Sequence, residues 1–244
     1  MLTNLLRSLI PTLGTITDSR REAWVKANLA ALPQGARLLD AGAGECRFKP
    51  DCAHLTYVGQ DFGQYEGGGE HGENPENWDT GKLDLVCDIT NIPEKDRSFD
   101  AILCTEVIEH VPDPLAALRE LSRLAKPGAT LLLTAPFVSA THFAPYHFCT
   151  GFSWYFYQHH LPKMGWKIEE TTIAGDFYES LAQEVRRIPS FARANNQSLP
   201  ITSKAAIWLM LVVLQKLHRT RNPDNHFLPH NVFVRAIKQK TKAV

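Results

Sequence analysis

This sequence has no excess of charge of either sign. Its 26 Lys and Arg balance 26 Asp and Glu, so no basic field marks it as a nucleic-acid binder. Cysteine is sparse and badly spaced for metal. Cys46, Cys52, Cys87, Cys104 and Cys149 are odd in number and contain no CxxC pair, which excludes a structural zinc and fits a reducing, cytoplasmic setting. A membrane-length apolar run is missing too. The richest run, Ala205 to Leu214 ("AAIWLMLVVL"), is only half of the roughly twenty residues a bilayer requires. It reads as a buried helix, with a homodimer contact or a peripheral membrane contact as further readings. The opening "MLTNLLRSLIPTLG" has no basic region, long apolar core or cleavage site of a secretory signal and reads as an amphipathic lead-in. The glycine run Gly67-Gly68-Gly69 is not followed by the Lys-Ser or Lys-Thr of a P-loop, so Gly63 to Lys82 reads as a polar loop. No internal repeat is visible.

What is present alternates. Helical spacing over Asp18 to Leu32 (Trp24, Val25, Leu29, Leu32) stops at Pro33-Gln34-Gly35. Short apolar runs then recur: Ala36 to Ala43, Leu55 to Phe62, Leu83 to Ile89, Phe99 onward, Ala129 to Phe137 and Trp166 to Ala174, with a last strand over Asn231 to Gln239. Between them lies a helix over Pro112 to Lys126, with Leu115, Leu118, Leu121 and Leu124 on one face and Pro127-Gly128 as its stop. A second helix is expected over Thr150 to Met164, and a third over Asp176 to Arg187, with Pro189 to Pro200 as a polar connection. Near-continuous apolar strands alternating with helices argue for an α/β fold: a Rossmann-like, doubly wound, mainly parallel sheet of seven strands with helices on both faces. The expectation is one domain over 1–244, with a helical lead-in over 1–35 and a helical cap inserted at about 176–221.

In such sheets ligands bind at the carboxyl ends of the strands. The stretch "ARLLDAGAGECRF" (Ala36 to Phe48) ends a strand on Asp40 and turns through Ala41, Gly42, Ala43 and Gly44. Glycines there let a flat nucleoside-like cofactor approach the main chain closely. Asp61, Asp88 and Thr105-Glu106 end three further strands, so these acids should converge.

The ordered set resembles the class I S-adenosylmethionine-dependent methyltransferases of the type 11 group over about Arg37 to Phe137. "LLDAGAGE" is similar to the family's first motif, "YVGQDF" to its second-strand ending, "CDITNIP" to its adenine-side segment, and "FDAILCTEVIEHVPDP" with "LAALRELSRLAKPGATLLLTAP" to its fourth strand, helix and fifth strand. The resemblance implies S-adenosyl-L-methionine as cofactor. It places Asp40, Ala41, Gly42, Ala43 and Gly44 beside the methionine part, Asp61 and Phe62 at the ribose, Asp88 and Ile89 at the adenine, and Thr105 and Glu106 at the fourth-strand tip. Cys46 departs from the pattern, standing where a third glycine is common. The implied reaction is methyl transfer to an oxygen of a small molecule, such as a sugar, glycan or other natural product. A lipid or quinone, a macromolecule, or binding without catalysis are the alternatives. An alcohol acceptor needs a general base. His142 and His147, just past the fifth strand, are the first candidates and His110 the next. No spacing suggests a metal site, and no nucleic-acid partner is expected.

Overall fold

The computed structural model describes residues 11–15, 17–65, 67, 79–222 and 226–240. The chain forms two compact units, one from residues 21–173 and 231–244, the other from 1–20 and 174–230.

The larger unit is organised by a sheet of seven strands: β1 (Arg37–Ala41), β2 (Thr56–Asp61), β3 (Leu85–Val86), β4 (Phe99–Thr105), β5 (Ala125–Pro136), β6 (Trp166–Ala174) and β7 (Asn231–Lys238). Their order is β3-β2-β1-β4-β5-β7-β6. The neighbours from β3 to β5 pair in parallel and β7 runs antiparallel to β5. Strand side chains alternate between faces, and the alternation decides which helix covers which face. Leu38, Ala101, Leu103 and Leu132 share a core with Val25 and Leu29 of α1 (Thr17–Ala30). Their chain neighbours Leu39, Ile102, Leu131 and Leu133 share another with Leu118 and Leu121 of α2 (Pro114–Leu124). Both sets are almost wholly buried, and each such leucine contributes about 1.5–3 kcal/mol. Helix α2 starts where its sequence allows. The Asp113 side chain accepts from Ala116 N at 2.9 Å, and Pro114 stands at the first helical position, where an N–H would be unsatisfied anyway.

Three local expectations change. The third strand shrinks to Leu85–Val86, because Asp88 turns the chain instead, accepting from the Thr90 N–H and hydroxyl. The aromatic helix α3 covers only Trp154–His160, followed by a 3-10 turn at Pro162–Met164 and Gly165 at φ +80°. Most of the polar loop expected over 63–82 lies outside the described residues.

The smaller unit packs α4 (Phe177–Ala194) against α5 (Ile201–Thr220) through Ala182, Val185, Leu211 and Leu214, with Leu13 added. Helix α4 runs straight through Pro189, so the connection expected to begin there starts only after Ala194. The Arg186 guanidinium donates to the carbonyls of Leu13 and Pro11, tying the incoming chain to the helix. The expectation that 205–214 is buried is wrong. Only Leu211 and Leu214 of α5 are buried, while Trp208, Leu209, Met210 and Val213 are exposed. A helix with a single neighbour can hide one face, and the apolar residues here run all the way round.

Asp176 holds this unit at one corner. Its Oδ1 caps α4 by accepting from Tyr178 N and Glu179 N, and its Oδ2 lies 2.7 Å from His218 Nδ1 and 2.5 Å from Arg221 Nε. Asp176→Asn should keep the cap and lose the ion pair, whereas Asp176→Ala should lose both. Thermal melts are expected to rank Ala below Asn by the worth of a cap, about 0.5–2 kcal/mol, and Asn below wild type. Equal melting of the two variants would show that the cap contributes nothing.

Candidate active site

The site is built where β1, β2 and β4 end. After β1 the chain turns at Gly42, φ +74°, and a Cβ there would overlap the Val107 methyls. The N–H groups of Gly42 and Ala43 both donate to Gln60 O at 2.8 Å, and Gly44 N donates to Asp61 Oδ2 at 3.1 Å. The Asp61 Oδ1 accepts from Gly63 N at 2.9 Å. Each carboxylate oxygen has two lone pairs, so one on each stays open for a hydroxyl. Gln60 is buried and spans three strand ends. Its Oε1 faces Gly42 N, and its Nε2 donates to Cys87 O at 2.7 Å. Cys46 adopts φ +58° where glycine would be unstrained, and its N–H closes the turn on Ala43 O.

The acids separate by environment. Asp40 lies under the loop, buried, with Tyr57 OH donating to its Oδ2 at 2.6 Å. Burial pushes its carboxyl up to about 7, Tyr57 opposing and the nearby Asp61 adding to the rise. Asp88 is exposed beside buried Ile89. Glu106 departs from the expectation of a cofactor contact at the tip of β4. Its Oε1 accepts from Thr134 Oγ1, while its Oε2 accepts from Asn231 Nδ2 and pairs with Arg21. Its charge is committed to the scaffold behind Thr105, at a residue held at φ +53°.

Segment 137–150 folds back toward these tips. Phe62 meets Tyr146 edge-on at 4.8 Å between centroids, and Tyr65 meets Phe143 at 4.8 Å. The same fold-back gathers the three expected imidazoles. Ring centroids are 4.6 Å apart for His110 and His142, 4.9 Å for His142 and His147, and 6.0 Å for His110 and His147. The Nδ1 of His110 faces Tyr146 O at 2.5 Å, and the Nδ1 of His142 faces Ala140 O at 2.9 Å. A carbonyl accepts only, so both Nδ1 atoms carry the proton and both Nε2 atoms keep a lone pair. Burial holds His110 down at about 4, the other two imidazoles adding to the effect, and burial also lowers His147.

Sequence reasoning missed Glu109. Its side chain is fully buried, neither carboxylate oxygen has a partner, and Oε1 lies 3.7 Å from His110 Nε2. Burial, with Glu106 nearby, drives its pKa well above the carboxylate range. No periodicity singles it out; only its place beside His110 could have. Glu109, His110 and His142 each bring a ligand atom within 4.8 Å of the others, and imidazole with carboxylate is a donor set for a borderline divalent ion. The similar group Asp176, Glu179 and His218 has donors already committed to Arg20 and Arg221.

A mainly parallel sheet with a glycine turn after its first strand and an acid at the tip of its second defines a Rossmann-like, nucleoside-cofactor class of protein. Comparison with known sequences narrows this. The methyltransferase domain family matches residues 17–167, and the chain belongs to it, as a class I S-adenosylmethionine-dependent methyltransferase; the cofactor is S-adenosylmethionine. The chain is 56% identical over 41 residues to the ubiquinone biosynthesis O-methyltransferase of Xanthomonas campestris pv. campestris. That stretch is 17% of each protein, so the chain spans about a sixth of its curated relatives' length. Among solved structures, a [4+2]-cyclase, SpnF, superposes with TM-score 0.54 at 17% identity, covering 91% of this chain and 81% of the cyclase. Haemonchus contortus phosphoethanolamine N-methyltransferase 2, with S-adenosyl-L-methionine bound, gives 0.52 at 16% identity, covering 91% of this chain and 53% of that one. These two likenesses show the fold.

The raised Asp40 carboxyl makes a pH prediction. A folded pKa above the unfolded value of about 4 means the protonated form is favoured by folding. Its contribution is complete below pH 4 and is lost as pH rises through about 7. Asn at this position cannot titrate and can still accept from Tyr57. The stability of Asp40→Asn relative to wild type should therefore climb between pH 4 and 8 by roughly 4 kcal/mol, from a shift to about 7 at 1.36 kcal/mol per pH unit. Denaturant titrations at stepped pH measure it, and a flat difference would place Asp40 in an ordinary carboxylate environment.

Proposed function

We propose that this chain transfers a methyl group from S-adenosylmethionine to an oxygen of a small molecule, a sugar, glycan or related natural product. The single observation that carries this reading is the cluster of three imidazoles, His110, His142 and His147, gathered by segment 137–150. The cofactor supplies an already activated methyl group on a sulfonium. The cradle suits it: no Cβ fits at Gly42, and Asp61 faces that turn with open lone pairs. Gly42, Ala43 and Gly44 would hold the methionine part, Asp61 and Phe62 the ribose, and Asp88 and Ile89 the adenine. Ala41 and Thr105 serve as the strand ends that fix these loops.

The chain's own work is orientation, exclusion of water and removal of one proton from the acceptor hydroxyl. Imidazole is the side chain suited to that at neutral pH. His110 is buried and hydrogen-bonded through Nδ1, and its low pKa keeps it neutral. It positions the other two. His142 carries an open Nε2 lone pair and His147 lies 3.2 Å from the Ser139 hydroxyl. One of these two takes the proton. Phe143 and Tyr146 wall the space on the cofactor side. A quinone-class phenol is the second acceptor reading, favoured by the 56% identity over 41 residues with a ubiquinone biosynthesis O-methyltransferase. Residues 205–214 supply a contact outside this site, with a second copy or a membrane.

Two measurements test the proposal. Asp61→Ala should weaken cofactor binding by about 1.5–3 kcal/mol in calorimetry, the worth of a hydrogen bond to a charged group. With an acceptor found by screening extracts for cofactor turnover, His142→Ala or His147→Ala should lower turnover by about 10²–10⁴-fold and leave cofactor affinity intact. Near-normal turnover in both variants would remove the base assignment.

A further inference from the structure

The exposed large apolar side chains of this protein are not scattered. Of the fifteen among the described residues, eleven belong to the smaller unit of α4, α5 and the chain that follows. Single exposed leucines are ordinary, but a contiguous set marks a contact surface. On α5, residues at 3.6 per turn place Ala205, Leu209, Val212 and Val213 opposite the buried Leu211–Leu214 face. Leu209 is 58% exposed and Trp208 46%. Helix α4 presents Phe177, Leu181, Ile188 and Phe191 to solvent as well.

Charge selects the occupant. Helix α5 contains no Asp or Glu over its whole length, Ile201–Thr220. Lys204 sits in its first turn, Lys216 and Arg219 in its last two, and all three are exposed. A symmetric contact with a second copy along α5 would set cations against cations, with no acid on the helix to pair them. An anionic surface reverses the sign of that interaction. Lysines flanking an apolar helix face can lay their stems along the lipid and keep their ammonium groups among the headgroups. Trp208, apolar with one polar N–H, is the residue type favoured at that depth. Spanning is a different matter: no helix among the described residues is long and apolar enough to cross a membrane.

We infer that α5, with the exposed face of α4, docks on an anionic lipid surface as a peripheral membrane contact. The inference stands apart from the acceptor chemistry and holds whichever hydroxyl the active site takes.

The test is co-sedimentation of the full-length protein with vesicles of phosphatidylcholine alone and of phosphatidylcholine mixed with phosphatidylglycerol. The protein should pellet with the mixed vesicles and far less with the neutral ones, and added salt should release it. Two variants separate the contributions, since their side chains are exposed and leave the core untouched. Leu209→Asp with Val213→Asp should lower partitioning by about tenfold or more on both vesicle types. Lys204→Glu with Lys216→Glu should abolish the preference for phosphatidylglycerol. Circular dichroism and cofactor affinity of each variant confirm that the fold is intact, and the cofactor measurement is independent of lipid. Absence of binding to either vesicle overturns the inference. So does binding that neither variant changes, or a dimer in sedimentation equilibrium that Leu209→Asp dissolves while vesicles remain unbound.

Discussion

The candidate site depends on one main-chain contact, the seating of the loop after β1 on the tip of β2. Two N–H groups, from Gly42 and Ala43, converge on the single carbonyl of Gln60, and Gly44 continues the series onto Asp61. This contact needs the backbone to reverse within three residues while Val107 presses on it from behind. Only glycine meets both demands at position 42: a positive φ, and no atom where the valine methyls lie. The neighbours follow from it. Gln60 must be buried to reach the loop, and its amide then ties Cys87 to the same point. Asp40, one residue before the strand's end, is left beneath the loop with Tyr57 as its hydrogen-bond partner. An acid that looks from its position like a cofactor ligand thus becomes part of the floor.

How much of this could be read from the chain alone depends on whether the information is local. The sheet was legible because strand periodicity is local. Leu38 and Leu39, or Ile102 and Leu103, announce a two-faced strand, and the fold places them in separate cores. The contact of Asp61 with the glycine turn followed from topology, which carries strand ends to one edge. Glu106 failed for the opposite reason. Its partners Thr134, Asn231 and Arg21 are far away in sequence, and no local pattern tells a carboxylate facing a ligand from one facing an arginine. Glu109 was invisible in the same way. The burial of 205–214 failed because apolar composition predicts that a face wants cover, not that the chain supplies it.

The polar residues beyond the β4 tip show how the fold pays for a reactive corner. Glu109 and His110 are both deprived of water, and the consequence is opposite for each: the carboxyl is pushed toward its neutral form from above, the imidazole from below. Two neutral groups lie 3.7 Å apart at a smaller cost than a buried, unpartnered ionised carboxylate would carry. The Tyr157 hydroxyl, buried and also without a partner, adds a third polar atom to the same apolar surroundings, its own ionisation suppressed first by burial and then by Glu109.

The fold itself does not choose the reaction. A [4+2]-cyclase and a phosphoethanolamine N-methyltransferase both superpose on this chain at similar scores, so the fold is shared and chemistry must be decided by what is laid over it. In this chain that overlay is segment 137–150. It brings two imidazoles to a third, closes aromatic rings onto Phe62 and Tyr65, and is pinned at its far end where Phe148 N and Cys149 N donate to Glu109 O at 3.0 Å. Gly151 completes the pin: a Cβ there would collide with the carbonyl of Pro136 at the end of β5. The far end of the segment is therefore held against the turn after β4 and the end of β5. His142 and His147 lie within this segment, whose far end is bonded through the main chain to Glu109 after β4.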